Sequence, residues 1–333
     1  MKPTASGDWR PTASLEVLKL RARMLERIRA FFSARGVLEV ETPLLSAAAT
    51  PDPNLQSLPV RYRGPHAPAD HTLYLHTSPE FPMKRLLAAG SGPIYQLCKV
   101  FRDEESGRRH NPEFTMLEWY RVGIDHRALM SEVEALVHTA LNNRVKFGPT
   151  ETLTYREAFE LHTGLDPVTA NEDDFVDCVR THGIQPPPGI TREHDHSVWR
   201  DLLLTHLVEP RLGQGRMTFI IDYPATQASL ARIIPGDPPV AARFEMYVNG
   251  MELANGFHEL ADADEQFTRF ERQLHARHVH ELPRAPLDER FLAALQHGMP
   301  DCAGVALGID RLVMLAAGAK SIDDVIAFPI ERA

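Results

Sequence analysis

The chain has 333 residues, 43% of them hydrophobic and 24% charged, which is typical of a globular protein and excludes a disordered or fibrous one. Acidic residues outnumber basic residues by 45 to 36, which gives a formal net charge of −9. This balance disfavours general binding to polyanions, because affinity for phosphate backbones requires clustered Lys and Arg. The sequence shows neither an apolar leader nor a run of roughly 18 apolar residues, so we expect a cytoplasmic protein without a membrane span.

The N-terminal third is predicted to combine one long helix with short strands. Apolar residues recur at three- and four-residue steps over 15–35, which predicts an amphipathic helix, and residues 37–42 follow as a short strand. Six prolines within 43–70 predict a loop with short extended pieces. A strand and turn over 73–81 and a two-turn helix that ends at Gly90 complete this part.

Two antiparallel hairpins are predicted farther along the chain. Residues 94–104 and 113–120 alternate apolar and polar positions, and the polar stretch between them suits a long loop. Residues 244–257 form the second hairpin, which turns at Asn249-Gly250, a pair suited to a type I′ turn.

The remaining segments complete one predicted domain over 1–333. A helical insertion is predicted over 150–215, where the pattern is mainly helical and chemical motifs are scarce. Residues 262–280 predict a helix, and residues 304–318 predict a strand that enters a helix at Gly308.

The usual glycine-rich phosphate-binding motifs do not occur. The sequence has no G-x-x-x-x-G-K-[ST] and no G-x-G-x-x-G. A bound nucleotide is therefore expected to be held by side chains, and three clusters are candidates for this task.

The first hairpin supplies the first cluster. Arg102 and Glu104 stand two residues apart on the predicted strand and would share a face, while Glu113 and Phe114 open the returning strand. An arginine beside an aromatic ring suits a phosphate and a stacked purine. A surface ion pair and a core phenylalanine explain the same residues equally well.

The second hairpin and the last helix supply the other two clusters. Glu245 and Glu252 flank the turn and are expected to face each other across it. Paired carboxylates of this kind commonly hold Mg²⁺ against phosphates, although solvated strand positions explain them equally well. Arg311 stands three residues after Gly308, where its guanidinium can reach a further phosphate.

The order of these segments resembles motifs 1, 2 and 3 of the class II aminoacyl-tRNA synthetases. A helix, glycine, strand and proline come first, FRDE and EFTMLEWY follow, and ELANGFHE and GVALGIDR complete the set. The stretches HNPEFTMLEWY and ELANGFHEL resemble the lysyl branch. The phrases RGVLEVETP, YPATQASLA and MPDCAGVALGIDRLVMLA resemble its free-standing bacterial paralogues. The resemblance covers nearly the whole chain outside the insertion.

The resemblance implies an α+β fold, in which helices flank an antiparallel sheet that carries the active site on one face. It implies that (R)-β-lysine is activated by ATP as an aminoacyl-adenylate and transferred to a lysine ε-amine of elongation factor P. ATP and Mg²⁺ are the implied cofactors. Motif 1, formed by the predicted helix over 15–35 and strand over 37–42, would lie at the interface of a homodimer.

By motif position, the resemblance assigns Arg102 to the α-phosphate and Arg311 to the γ-phosphate, and both would be catalytic. Phe114 would stack on adenine, and Glu245 and Glu252 would hold Mg²⁺. The full set implied to contact ATP comprises Arg102, Asp103, Glu104, Asn111, Phe114, Glu252, Leu253, Gly308 and Arg311.

The resemblance also implies a pocket for a diamino acid. Glu80 would bind the amino group near the carboxylate. Glu118, Tyr120 and Glu259 would surround the far ammonium. A neutral side chain would leave these carboxylates buried and unpaired, so a diamino substrate would be selected. The full set implied to form the pocket comprises Ser78, Pro79, Glu80, Glu118, Tyr120, Asn255, Phe257, Glu259 and Ala306.

Ala306 departs from the pattern of the lysyl synthetases, which usually have glycine in the corresponding segment, GLGIG. The added methyl group in the pocket wall is expected to disfavour α-lysine. It would admit the β-isomer, whose amino group lies one carbon along the chain.

Length distinguishes the implied acceptors. Lysyl-tRNA synthetases carry an anticodon-reading domain, on the order of 100 residues, ahead of motif 1, whereas the predicted motif 1 helix here begins at residue 15. We therefore expect a protein acceptor and no tRNA. Two alternatives stay open: a stand-alone synthetase that charges tRNA or a small molecule, and a non-catalytic amino-acid sensor. The sensor is disfavoured by the presence of Arg102, Glu245, Glu252 and Arg311.

Overall fold

The computed structural model describes residues 9–187 and 196–333. The chain divides into two compact units. The first unit joins the chain up to Val145 to the segment Leu260–Ala333, and the second unit is Lys146–Glu259.

The predicted domain organisation is not decided by this division. The single domain over 1–333 and the helical insertion over 150–215 stay predictions. Residues 188–195 of that insertion lie outside the described residues.

Helices and strands occur in both units, which agrees with the predicted α+β class. In the described residues the α-helices are α1 (Leu15–Ser33), α2 (Glu80–Ala88), α3 (His126–Leu141), α4 (Tyr155–Thr163), α5 (Glu172–Thr181), α6 (His196–Leu203), α7 (Ala263–Val279), α8 (Glu289–His297) and α9 (Ile309–Ala317). The strands are β1 (Leu38–Glu39), β2 (Leu45–Ser46), β3 (Pro59–Arg61), β4 (Thr72–Leu75), β5 (Ile94–Phe101), β6 (Glu113–Val122), β7 (Glu151–Thr154), β8 (Thr218–Pro224), β9 (Ile233–Ile234), β10 (Val240–Val248), β11 (Met251–His258) and β12 (Cys302–Gly308). Within these residues, no helix combines the length and the apolar character that crossing a membrane requires.

The first unit contains four paired strands in the order β1-β5-β6-β12. β5 and β6 form the predicted antiparallel hairpin, and β6 pairs antiparallel with β12. β1 pairs parallel with β5, so this sheet is mixed rather than wholly antiparallel as predicted. The helices α1, α3 and α9 pack on one another. In addition, α9 contacts β6 and α3 contacts β12.

Aromatic rings dock α1 on this sheet. The helix begins after Ser14, whose hydroxyl accepts a hydrogen bond from the Val17 N–H. The Phe32 ring stacks on Tyr95 of β5 with 4.3 Å between centroids, and it meets Trp119 of β6 edge-on at 5.5 Å. Because side chains alternate along a strand, the even-numbered positions of β5 and β6 point to the opposite face.

A small three-stranded sheet in the order β2-β4-β3 also belongs to the first unit. Its strands are antiparallel and lie largely in the proline-rich stretch that was predicted to hold short extended pieces. The helix α8, which has no counterpart among the predicted elements, packs against α2 and α7. Phe81 of α2 stacks on Phe291 of α8 with 4.7 Å between ring centroids.

The second unit contains four paired strands in the order β11-β10-β8-β7, and β9 pairs with β10. β10 and β11 form the predicted hairpin, where Asn249 and Gly250 have φ angles of 50° and 66°, as a type I′ turn requires. β7 was not predicted, and it pairs parallel with β8. The core of this unit includes the large buried side chains Tyr155, Phe159, Phe175, Trp199 and Tyr247.

Candidate active site

One face of the first unit's sheet carries several residues predicted to bind the amino acid. Gln96 of β5 lies opposite Glu118 of β6, and Glu118 lies opposite Ala306 of β12. Directly opposite residues point to the same side of a sheet, so these three side chains form one row. Gly304 and Gly308 of β12 lie on the same face as Ala306. Because all three residues are small, they leave room beside the Glu118 carboxylate.

Glu118 is the central carboxylate of this face. It is 3% exposed, and its oxygens accept hydrogen bonds from the Tyr120 hydroxyl at 2.6 Å and the Ser78 hydroxyl at 2.7 Å. Burial raises the pKa of Glu118 to about 7, and the negative charge of Glu80 adds to the rise. A positive charge placed beside this carboxylate would offset both effects, so the site is suited to bind an ammonium group.

Glu80 supplies a second carboxylate at the start of α2, directly after Pro79, the N-cap residue. The Ser78 hydroxyl accepts a hydrogen bond from the Glu80 N–H at 3.0 Å while it donates to Glu118, so one hydroxyl joins the two acidic residues. Glu80 also forms an ion pair of 2.5 Å with Lys84, which is 1% exposed. Lys84 was not among the predicted site residues, because Glu80 was predicted to lie in the turn over 73–81. The helix α2 instead begins at Glu80, which brings these i and i+4 residues together.

The loop of the first hairpin corrects one prediction. β5 ends at Phe101, so Arg102 and Glu104 lie in the loop and do not share a strand face. Glu104 has a φ angle of 64°, in the left-handed region, which is incompatible with a continuing strand. Arg102 nevertheless lies beside the predicted aromatic ring, with its guanidinium carbon 5.1 Å from the Phe114 centroid. Its Nη1 also pairs with Glu105 at 3.3 Å.

Hydrogen bonds to the backbone hold two other predicted residues of this loop. The Asp103 carboxylate accepts from the Glu104 N–H at 3.0 Å. Asn111 is buried, donates to the Glu113 carbonyl at 2.6 Å, and accepts from the Ile330 N–H at 3.0 Å. The Asn111 amide therefore braces the base of the loop, and its contact with ATP stays a prediction.

Arg311 reaches the same loop from the first turn of α9. Gly308 ends β12 directly before this helix, which confirms the predicted junction. Nη2 of Arg311 lies 2.7 Å from Nε2 of His110, so the guanidinium donates to the ring. Burial and the charge of Arg311 lower the pKa of His110, which favours the neutral ring that can accept this bond. His110 was not predicted, and it links Arg311 to the loop that carries Arg102.

Arg243 organises the predicted residues of the second unit. Its guanidinium pairs with Glu245 and donates to the Asn255 side-chain oxygen at 3.3 Å. The guanidinium carbon also lies 4.5 Å from the Tyr223 ring centroid and 5.8 Å from the Phe257 centroid. Arg243 thus contacts three predicted residues, yet it was not predicted itself, because an arginine in an alternating strand belongs to no recognisable motif.

Glu245 and Glu252 are not directly opposite each other, contrary to the prediction. The two-residue turn places Glu252 opposite Tyr247. Farther from the turn, Glu245 lies opposite Asn255, because β11 carries one extra residue, Leu253, at a bulge. The two carboxylates still point to the same face, as diagonal neighbours.

This pair of carboxylates meets the modest requirement of a nucleotide-bound Mg²⁺. Glu245 accepts from the Tyr223 hydroxyl at 2.7 Å, from the Tyr247 hydroxyl at 2.5 Å, and from Arg243. A carboxylate has about four lone-pair sites, so three donors leave one for a metal. Mg²⁺ that binds together with phosphates uses only one or two carboxylates, so Glu245 and Glu252 suffice. No group of three metal-ligating side chains occurs among the described residues.

Each unit therefore groups part of the predicted set. On the sheet face of the first unit lie Ser78, Glu80, Glu118, Tyr120 and Ala306. On or beside its hairpin loop lie Arg102, Asp103, Glu104, Asn111, Phe114 and Arg311. In the second unit, β10 and β11 carry Glu245, Glu252, Leu253, Asn255 and Phe257. Glu259 follows β11, is 1% exposed, and forms a backbone bridge with Ala231.

Comparison with known proteins agrees with this arrangement. Residues 6–332 match the family of class II tRNA synthetases described as D, K and N. The chain is 50% identical to the elongation factor P–(R)-β-lysine ligase of Pectobacterium carotovorum, over 98% of both chains. The protein of the same name from Klebsiella pneumoniae is 49% identical over the whole of both chains. That from Haemophilus ducreyi is 48% identical over 98% of this chain and 97% of its own.

The chain therefore belongs to the class II tRNA synthetase family and, within it, to the family of the elongation factor P–(R)-β-lysine ligases. The relatives that share this family are ligases by name. Membership of a class II synthetase family implies that ATP is a substrate.

Proposed function

We propose that this protein activates (R)-β-lysine with ATP and transfers it to the ε-amine of a lysine on elongation factor P. The names of the full-length relatives support this function. The observation that carries it is a pair of acidic residues linked by one hydroxyl, in which Ser78 donates to the Glu118 carboxylate and accepts from the backbone N–H of Glu80. The Glu80 charge lies close enough to raise the pKa of Glu118. Two carboxylates on one surface match the two ammonium groups of a diamino acid.

Glu118 and Tyr120 are proposed to receive the far ammonium, and Glu80 the amino group near the carboxylate. Burial raises the pKa of Glu118, so a bound ammonium would favour its charged form. A substrate with a neutral side chain would leave Glu118 without this compensation, which gives selectivity for a diamino acid. Asn255, Phe257 and Glu259 of the second unit stay predicted contacts of the substrate.

The activation step forms a bond between a carboxylate oxygen of β-lysine and the α-phosphorus of ATP, while the bond to pyrophosphate breaks. Phosphoryl chemistry depends mainly on positioning and on neutralising charge. Arg102, held beside Phe114 and Glu105, is proposed to bind the α-phosphate, and Arg311 is proposed to bind the γ-phosphate. Removing such a group typically slows a reaction by about 10²–10³.

Glu245 and Glu252 are proposed to hold Mg²⁺. When bound, the metal ion would neutralise charge on the phosphates of ATP. The hydroxyls of Tyr223 and Tyr247, together with Arg243, fix the orientation of Glu245. This orientation is available before any metal arrives, so the carboxylate needs little reordering on binding.

In the transfer step, the ε-amine of the acceptor lysine attacks the carbonyl carbon of the adenylate. The bond to AMP breaks, an amide forms, and the amine releases a proton. We propose elongation factor P as the acceptor, rather than tRNA, and a homodimer as the active assembly. β1, the outermost strand of its sheet, leaves Leu38 56% exposed, which supports a protein interface there. The cytoplasmic location stays a prediction.

Exchange of pyrophosphate into ATP tests the activation step. We expect exchange that depends on (R)-β-lysine, is weaker with α-lysine, and is absent with an analogue that lacks the far amino group. The variant Arg102→Ala should lose this exchange, whereas Arg180→Ala, at an exposed ion pair of α5, should retain it. Absence of exchange with every diamino acid would leave a non-catalytic sensor. Exchange with α-lysine followed by transfer to tRNA alone would indicate a synthetase.

A further inference from the structure

Gln96 is a buried amide beside the carboxylate of Glu118. It is 2% exposed and lies directly opposite Glu118 in the register of β5 and β6, so both side chains occupy the same face of the sheet. It was not among the predicted site residues.

The amide oxygen of Gln96 has no hydrogen-bond partner in the structure, and it is buried. Buried acceptors without a partner are rare in folded proteins, and each one calls for an explanation. Cys98 lies two residues along the same strand, so its side chain occupies the same face as Gln96. Burial and the charge of Glu118 raise the pKa of the Cys98 thiol to about 12, and the neighbouring Gln96 side chain opposes that rise. The Gln96 oxygen, which is buried without a partner, is therefore an acceptor that this face offers to a ligand.

An ammonium group would supply a hydrogen-bond donor for the Gln96 oxygen, which has none in the row formed by Gln96, Glu118 and Ala306. It has three N–H groups, and a desolvated ammonium requires an acceptor for each. The two oxygens of Glu118 each already accept from a hydroxyl group. A further carboxylate would add to the repulsion that Glu80 exerts on Glu118, whereas an amide oxygen adds an acceptor without adding charge.

We propose that Gln96 is a further specificity-determining residue, whose amide oxygen accepts a hydrogen bond from the far ammonium of the diamino acid bound at Glu118. This inference rests on the proposed function. The roles predicted from the sequence give the far ammonium no contact on β5. Gln96 would add a neutral acceptor there, beside the charged acceptor Glu118.

The test compares Gln96→Met, which keeps the length of the side chain but removes the acceptor, with the unchanged protein in pyrophosphate exchange. We expect the KM for (R)-β-lysine to rise about tenfold, which is the usual effect of losing a hydrogen bond to a charged group. The kcat should stay within about twofold, and the KM for ATP should not change.

Thr115→Val is the matched control for lost packing. Thr115 is also buried in this sheet, but it points to the opposite face, where its hydroxyl accepts from Arg21 at 2.7 Å. The control should leave the KM for β-lysine unchanged. An unchanged KM for β-lysine in Gln96→Met, or an equal rise in its KM for ATP, would overturn the inference alone. Lack of any exchange with β-lysine in the unchanged protein would instead overturn the proposed function.

Discussion

Ala306 lies directly opposite Glu118 in the register of β12 and β6, so its methyl group shares a sheet face with the carboxylate. The size of the side chain at position 306 therefore sets the space beside the proposed binding point of the far ammonium. The two ammonium groups of β-lysine are one carbon closer together than those of α-lysine. A methyl group at this position can thus affect the two isomers differently.

The first prediction concerns this methyl group. Ala306→Gly should raise the kcat/KM of α-lysine relative to that of β-lysine by about tenfold, because one carbon in a binding pocket is worth about 1–3 kcal/mol. Pyrophosphate exchange with each isomer measures the ratio. Ala303→Gly is the control, since Ala303 is buried in the same strand and points to the other face. The same ratio in Ala306→Gly and the unchanged protein would rule out this role of the methyl group.

The second prediction concerns pH. With a pKa of about 7, Glu118 holds a proton in the free protein at lower pH and must release it to pair with an ammonium. The KM for β-lysine should therefore rise as pH falls below about 7, approaching tenfold per pH unit, while the KM for ATP should not follow. The Tyr120 hydroxyl lowers the pKa of Glu118, so Tyr120→Phe should move the rise to higher pH. A KM for β-lysine that is flat between about pH 6 and 8 would contradict this account.

The third prediction concerns the buried ion pair of Lys84 and Glu80. Lys84→Met should lower the free energy of unfolding by about 3 kcal/mol, because it leaves the charge of Glu80 without its partner. Urea unfolding measures this difference. Lys19→Met is the control, because Lys19 pairs with Glu16 at an exposed position of α1, and its effect should stay within about 0.5 kcal/mol. Equal effects of the two substitutions would show that burial of the Lys84 pair contributes nothing.

The fourth prediction concerns Mg²⁺. Glu252→Gln should raise the Mg²⁺ concentration needed for half-maximal exchange by about tenfold, because one of two proposed carboxylate ligands loses its charge. A titration with Mg²⁺ at saturating ATP and β-lysine measures this shift. Glu271→Gln, in α7, removes the same charge from an exposed position and should leave the titration unchanged. If both variants require the same Mg²⁺ concentration, Glu252 does not bind the metal.

The sequence predicted those elements whose signals are local. The apolar period of α1 and the pair Asn249-Gly250 each act within a few residues, and the structure confirms both. β7 was missed because the segment ETLT becomes a strand only by pairing with β8, which lies more than 60 residues away. The prediction of a strand at Arg102 was wrong. Glu104 adopts a left-handed backbone conformation, which is not expected for a glutamate.

The site follows the same division between local and distant signals. Motif order identified Glu80, Glu118 and Arg311 as candidates, and their proposed roles still require the experiments above. Their neighbours were not predicted, because only the folded chain brings them together. His110 contacts an arginine 201 residues away, and Gln96 meets Glu118 through the pairing of two strands.

The intact mass of elongation factor P shows whether β-lysine is transferred to this acceptor. Purified elongation factor P is incubated with the protein, ATP, Mg²⁺ and (R)-β-lysine, in the presence of lysine tRNA as a competing acceptor. We expect an ATP-dependent mass increase of one β-lysyl group, which is absent when the acceptor lysine is replaced by arginine. An unchanged mass of elongation factor P, together with an aminoacylated tRNA, would contradict the proposed transfer.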